Sequence, residues 1–180
     1  MPAHSSAGAS PPQAAAPPYD GRGARKTGHG GAPGRVRGAV AGRVAEPGAW
    51  GRAQVVATVR AGLPKEAVAT ADSGAHRILL SQMWTTHHPR TLLQSSALCT
   101  MGCAVPTAAG YKLQHPNAPV AAFVGDAGLA INPGEPATIR DLKLALVIVV
   151  LLDETLALIA LNQRAPNRPP VRVDLGGTAL

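Results

Sequence analysis

The chain has 180 residues, of which 46% are hydrophobic, 15% charged and 3% aromatic, and its formal net charge is +7. This length suits one α/β domain and argues against two, and the hydrophobic share excludes a chain that is disordered throughout. Two cysteines exclude a disulfide-stapled scaffold and do not suggest a cysteine-based zinc ribbon. The positive charge suggests binding of nucleic acid or of an anionic ligand.

The composition divides the chain into two parts. Residues 1–50 contain 10 Gly, 7 Pro and 12 Ala, with six basic residues against two acidic ones. Such a segment has too few large apolar side chains to offset its conformational entropy, so we expect a disordered arm over residues 1–48 and a folded domain over residues 49–180. The arm either has no function, which we favour, or is a transit peptide or a phosphate-binding segment. It has no apolar signal region, so we expect a cytoplasmic protein.

From Trp50 onward, hydrophobic periodicity predicts alternating helices and strands. The expected helices cover residues 55–63, 76–84, 101–113, 135–144 and about 156–163, and the expected strands cover residues 67–71, 91–95, 119–124 and 145–152. This alternation predicts the α/β class, with a parallel sheet and helices on both faces. The apolar run at residues 144–152 is typical of a strand buried on both faces.

One apolar stretch, residues 142–161, is long enough to cross a membrane. Asp153 and Glu154 lie in its middle, and each charge there would cost about 2.5–3.5 kcal/mol. We therefore expect no membrane span.

Two carboxylates end successive predicted strands. Asp126 follows the third strand and Asp153 follows the fourth, 27 residues further on (153 − 126). Carboxyl ends of parallel strands meet at one edge of a sheet, so the two side chains can converge on one hard cation such as Mg²⁺. Alternatively, the two residues only cap the helices that follow them.

Four segments, in order, resemble a known family. They are Ala71-Asp72-Ser73-Gly74-Ala75-His76, the segment from Leu93 to Pro106, Gly125-Asp126-Ala127-Gly128, and Asp153-Glu154-Thr155. The match covers residues from about 50 to 180 and resembles the C-terminal diphosphate-binding domain of acetolactate-synthase-like enzymes, which depend on thiamine diphosphate. The resemblance implies the thiamine-diphosphate-binding fold, incomplete at its C-terminal end, and action on a 2-oxo acid by decarboxylation and carboligation.

The resemblance also implies roles for individual residues. Asp126 and Asp153 would bind Mg²⁺ through their carboxylates, and Thr155 would bind it through its carbonyl. Further residues would contact thiamine diphosphate: the diphosphate would meet Ala127, Gly128, Ala75 and His76, and the aminopyrimidine ring would meet Cys99 and Met101.

The sequence departs from the family at several points. Asp153 stands where Asn is usual, and Cys99 stands where Gly is usual, a change that we expect to be tolerated because the role is a backbone one.

The family's catalytic Glu lies in a separate N-terminal domain for which residues 1–48 offer no counterpart. We therefore expect a gene fragment or a subunit of a split enzyme, in a homo- or hetero-oligomer whose pyrimidine-binding domain comes from another chain. The alternative is a non-catalytic remnant or regulatory partner, and a nucleic-acid-binding protein is the least favoured hypothesis.

Overall fold

The structure is a computed structural model that describes residues 51–164 and 171–176, together with Ala39 and Pro169. The predicted arm at residues 1–48, apart from Ala39, lies outside the described residues. In chain order the elements are α1 (Arg52–Gly62), β1 (Val68–Ala71), α2 (Ala75–Met83), β2 (Leu92–Gln94), α3 (Ala104–Gln114), β3 (Val120–Gly125), α4 (Asp126–Ile131), α5 (Glu135–Asp141), β4 (Val147–Leu151) and α6 (Ala157–Arg164).

The four strands form one parallel sheet in the order β2-β1-β3-β4. Ala71 at the end of β1 pairs with Phe123 of β3, and Gly125 at the end of β3 pairs with Leu151 of β4. Because the strands are parallel, the turns that follow β1, β3 and β4 lie together at one edge of the sheet. This edge is where open α/β sheets bind ligands.

Helices cover both faces of the sheet, as the sequence predicts. On one face, α1 and α2 pack through Val56, Leu80 and Trp84 against Ala121 and Phe123 of β3. On the other face, α3 and α5 pack on a second cluster, which contains Ala104, Val105, Ala108, Ala109, Val120, Ala122, Val124 and Ile139. Small alanine side chains in α3 let this helix lie close to the sheet.

The prediction that single helices and strands alternate is wrong between β3 and β4. Two helices, α4 and α5, connect these strands, and the second ends at Asp141 rather than at residue 144. The segment Asn132-Pro133-Gly134 separates them, because proline and glycine favour turns. The predicted helix at residues 101–113 also begins later, at Ala104.

The prediction that the apolar run at residues 144–152 is buried on both faces is also wrong. Within the part of the chain that the structure describes, β4 is an edge strand. Val147 is 51% exposed and Val150 is 37% exposed. An apolar run specifies a strand but does not specify whether a second strand pairs with it.

No helix in residues 51–164 or in the other described positions is long and apolar enough to cross a membrane. The stretch at residues 142–161 instead contains β4, a turn and most of α6.

Candidate functional site

A cavity of about 120 Å³ lies at the carboxyl edge of the sheet, where β1, β3 and β4 end. Of the nine residues predicted to bind the cofactor, eight line it: Ala75, His76, Met101, Asp126, Ala127, Gly128, Asp153 and Thr155. Cys99 is not among the lining residues. The fold thus brings together segments that are separated by up to 80 residues in the sequence (155 − 75).

Asp126 links the ends of two strands. It is the first residue of α4 and is only 2% exposed. Its Oδ1 atom accepts a hydrogen bond from the Ala127 amide at 2.9 Å, and its Oδ2 atom accepts one from the Glu154 amide, beyond β4, at 2.7 Å. The N-cap of α4 is Gly125 and the helix has no side-chain capping hydrogen bond, so the capping alternative does not describe Asp126. Each carboxylate oxygen still has a second lone pair directed away from these amides.

Asp153 has a different environment. Its carboxylate pairs with the guanidinium of Arg52, at the start of α1. The Asp153 side chain is 15% exposed and that of Arg52 is 58% exposed. Since α6 begins only at Ala157 and Asp153 pairs with α1, the capping alternative does not describe Asp153. The site therefore holds two carboxylates and one guanidinium.

The C-terminal segment 171–176 supports the turn after β4. The Thr155 hydroxyl donates to the Val173 carbonyl at 3.0 Å, and the Leu156 amide donates to the same carbonyl at 2.7 Å. The Leu175 amide donates to the Glu154 carbonyl at 2.9 Å. The Thr155 carbonyl accepts the Ala157 amide at 2.9 Å, which leaves one lone pair for a cation.

His76 presents a buried polar atom to the site. The residue is 8% exposed, and its Nε2 atom is buried without a hydrogen-bond partner among the described residues. Burial lowers the pKa of His76, an effect that the negative charges of Asp72 and Asp153 partly oppose. Gly74 lies against the ring with φ +146°, and a Cβ there would be 2.9 Å from His76 Cε1. The ring is thus packed in place, and its lowered pKa favours the neutral form.

Cys99 lies in the turn before α3, outside the cavity wall. Its φ is +50°, in the left-handed region that favours glycine, and its thiol donates to the Ser95 carbonyl at 3.6 Å. The expected tolerance of cysteine at this position therefore carries a conformational cost.

Three residues of the site were not predicted to take part in it. Asp72, buried at 0% exposure, accepts hydrogen bonds from the turn that carries Met101, and Asn132 donates to the same turn. Arg52 pairs with Asp153. The position of Asp72 directly after a buried strand was the available sequence signal, whereas Asn132 and Arg52 have no comparable signal.

The donor groups fit a hard cation that carries an anionic ligand. Magnesium takes one or two protein carboxylates and completes its octahedron with water and phosphate oxygens. Asp126 and Asp153 supply two carboxylates, and within the described ranges no group of three or more His, Cys, Asp or Glu side chains could hold a metal. The unpartnered His76 Nε2 atom offers a polar contact that a diphosphate oxygen would satisfy.

A family model described as "Thiamine pyrophosphate enzyme, C-terminal TPP binding domain" matches residues 72–172, more than half of the chain. The chain therefore belongs to this family of thiamine pyrophosphate enzymes. The matched region contains all the predicted site residues, from Ala75 to Thr155. The resemblance and the fold class expected from the sequence are confirmed.

The chain is similar to acetolactate synthases. It is 33% identical over 109 residues to the acetolactate synthase isozyme 1 large subunit of Escherichia coli (strain K12), covering 61% of this chain and 19% of that protein. It is 30% identical over 123 residues to the acetolactate synthase of Bacillus subtilis (strain 168), covering 68% of this chain and 22% of that protein. The chain thus spans about a fifth of the length of these curated relatives.

A solved structure supports the fold. The thiamine diphosphate-dependent 4-hydroxybenzoylformate decarboxylase of Rhodococcus jostii RHA1 superposes with a TM-score of 0.65 at 22% identity, over 75% of this chain and 26% of that chain. At this identity the likeness establishes a shared fold.

Proposed function

We propose that this chain binds thiamine diphosphate and Mg²⁺ in the cavity at the carboxyl edge of the sheet. In this proposal it forms the diphosphate-binding part of an acetolactate-synthase-like enzyme that acts on 2-oxo acids. The observation that carries the proposal is the convergence of Asp126 and Asp153 on one cavity that His76 also lines. The family membership and the similarity to acetolactate synthases support it.

Each side of the cavity has its own task in this proposal. The Asp126 and Asp153 carboxylates and the Thr155 carbonyl hold the cation, and the cation offsets the negative charge of the diphosphate. His76 donates a hydrogen bond to a diphosphate oxygen through Nε2, and the backbone at Ala127 and Gly128 lies against the diphosphate. Bound thiamine diphosphate supplies the electron sink for decarboxylation, while the protein supplies position and electrostatics.

Met101, Leu156 and the first residues of α6 form the less polar wall of the cavity. Leu156, Leu158 and Ile159 line it together with Met101. We assign this wall to the organic part of the cofactor. The substrate-facing groups and the catalytic Glu belong, in the same proposal, to a pyrimidine-binding domain or subunit on another chain of a cytoplasmic oligomer.

Calorimetric titration of the full chain tests the proposal. Thiamine diphosphate should bind in the presence of Mg²⁺, and Asp126→Asn should weaken binding at least about tenfold, as expected when one ligand charge is removed. Asp141→Asn is the matched control, because Asp141 is exposed on α5 and pairs with Arg140. Absence of magnesium-dependent binding, both alone and with a pyrimidine-domain protein added, would overturn the proposal.

A further inference from the structure

The turn that carries Met101 is held from two sides. The Asp72 carboxylate accepts hydrogen bonds from the amides of Gly102 and Cys103, at 2.9 and 3.0 Å. On the other side, the Asn132 Nδ2 atom donates to the Gly102 carbonyl at 2.7 Å. Both peptide groups that flank Gly102 are therefore fixed, and the first of them is the peptide bond that follows Met101.

The two side chains reach this turn from distant parts of the sequence. Asp72 follows β1 and lies 30 residues before Gly102, whereas Asn132 directly follows α4 and lies 30 residues after Gly102. The two residues therefore connect the ends of β1 and α4 through one turn. Met101 directly precedes Gly102 and lines the cavity.

The turn is closely packed between these two contacts. Gly102 has φ +80°, and a Cβ there would be 2.7 Å from the Asn132 Nδ2 atom and 3.3 Å from the Gly128 carbonyl. Gly128 in turn lies so close to Asp72 that a Cβ would overlap the carboxylate. Asp72, Gly102, Gly128 and Asn132 thus form one packed unit, which we call the Met101 clamp.

The burial and hydrogen bonds of Asp72 indicate that it stabilises the turn and does not only fill space. It is fully buried, and a buried carboxylate is unfavourable unless hydrogen bonds compensate for its lost hydration. Its two oxygens bind backbone amides of the same turn, so the buried charge stabilises that turn in particular. A small apolar residue would fill the space without this cost and would leave the turn loose.

We propose that Asp72 and Asn132 are positioning residues that fix the Met101 side chain in the cavity wall. The hydrogen bonds fix the peptide group that follows Met101, and this step does not depend on a ligand. The consequence for recognition of the cofactor's ring rests on the proposed function. Because Asp126 and Asp153 serve the anionic end of the cavity, loss of the clamp should weaken binding of the organic part of thiamine diphosphate and spare binding of its diphosphate.

Methyl NMR tests the first step without any ligand. The chain has three methionines, Met1, Met83 and Met101, so ¹³C-methyl methionine labelling gives a simple spectrum. In Asn132→Ala, the Met101 methyl signal should broaden or move toward its unfolded position while that of Met83 stays unchanged. Asn162→Ala, at an exposed position of α6, is the matched control and should move neither signal. An unchanged Met101 signal beside an unchanged Met83 signal would overturn the proposal.

Amide hydrogen exchange on the unaltered protein keeps the test decisive if the variant does not fold. The amides of Gly102 and Cys103 should exchange as slowly as those of the buried strand β3. Exchange of both amides as fast as that of Leu98, which is 89% exposed, would overturn the clamp.

Calorimetry with two ligands then tests the recognition step. Asn132→Ala should bind thiamine diphosphate with Mg²⁺ about tenfold more weakly, a loss typical of a supporting residue, and should bind inorganic pyrophosphate with Mg²⁺ as well as the unaltered chain does. Equal losses for both ligands, or none for either, would overturn the recognition step. Failure of the unaltered chain to bind either ligand would count against the proposed function and leave the NMR result standing.

Discussion

Different interactions hold the two halves of the cavity. The central half lies at the ends of β1 and β3, and the edge half lies at the end of β4. In the central half, β1 is buried throughout, and Asp72 and Asp126 are 0% and 2% exposed and bind backbone amides. In the edge half, β4 is partly exposed, and Asp153 pairs with an exposed arginine. Buried packing and buried carboxylates that bind amides therefore determine the geometry of the central half, whereas an ion pair and hydrogen bonds with the segment 171–176 determine that of the edge half. Substitutions in the central half should affect stability most, and those in the edge half should mainly affect ion binding.

Gly128→Ala should have the largest effect. The added Cβ would overlap the Asp72 carboxylate and lie 3.0 Å from Val124 Cγ2, and neither group can move because both are buried. We expect a loss of about 3 kcal/mol in the free energy of unfolding, measured by urea denaturation. Gly110→Ala is the matched control, since a Cβ there meets nothing within 4 Å, and it should stabilise α3 by up to about 1 kcal/mol. Similar midpoints for the two variants would show that the central half is not rigid.

His76 should make stability depend on pH. Burial lowers its pKa in the folded chain below the ordinary value of 6.5, so below pH 6.5 the unfolded chain binds a proton that the folded chain does not. Stability should therefore be complete above pH 6.5 and decrease as the pH falls toward the folded pKa, with a slope of at most about 1.4 kcal/mol per pH unit.

Urea denaturation of His76→Gln on both sides of pH 6.5 checks this expectation. In His76→Gln the free energy of unfolding should depend less steeply on pH, because the contribution of His76 is absent. His87→Gln, at an exposed position, should keep the steeper dependence. Identical slopes in His76→Gln and the unaltered protein would mean that His76 is not the group responsible.

Cys99→Gly should give a smaller effect of opposite sign. The φ of +50° costs a non-glycine residue about 1–2 kcal/mol, and glycine at this position removes that cost. Part of the resulting stabilisation is lost because glycine has more conformational freedom in the unfolded chain. We expect a net stabilisation of about 0.5 kcal/mol by urea denaturation. Cys103→Gly is the control, because Cys103 has φ −83° and glycine there should destabilise. Destabilisation by Cys99→Gly would show that its thiol contact with Ser95 outweighs the backbone strain.

Local patterns predicted the two carboxylates of the cavity wall, whereas the family resemblance supplied its other predicted residues. An apolar run followed by Asp or Gly marks the end of a strand, and in a parallel sheet all such ends share one edge, so Asp126 and Asp153 could be placed together before the fold was known. The same reasoning predicted helices on both faces. The turn residues Asn132, Pro133 and Gly134 indicate a break between two helices after β3, which the predicted alternation of single helices and strands does not contain.

Contacts between distant residues could not be predicted in this way. The link from Asp72 to the Met101 turn spans 30 residues, and the pair between Arg52 and Asp153 spans 101 residues. Both depend on the packing of helices on the sheet, which hydrophobic periodicity does not specify. The exposure of β4 has the same origin, since a run of valines fits an edge strand as well as a central one.

Arg52→Gln should have the smallest effect on stability and a selective effect on ion binding. An exposed ion pair contributes at most about 1 kcal/mol, so the free energy of unfolding should change little. Removing the guanidinium frees the Asp153 carboxylate from a competing cation, and Mg²⁺ alone should bind up to about fivefold more tightly, as measured by calorimetry. The gain should shrink at high ionic strength because salt screens exposed charges.

Arg140→Gln, whose pair with Asp141 lies on α5, should leave Mg²⁺ affinity unchanged. Weaker Mg²⁺ binding by Arg52→Gln would mean that the arginine holds Asp153 in position for the ion, and the edge half would then be as preorganised as the central half.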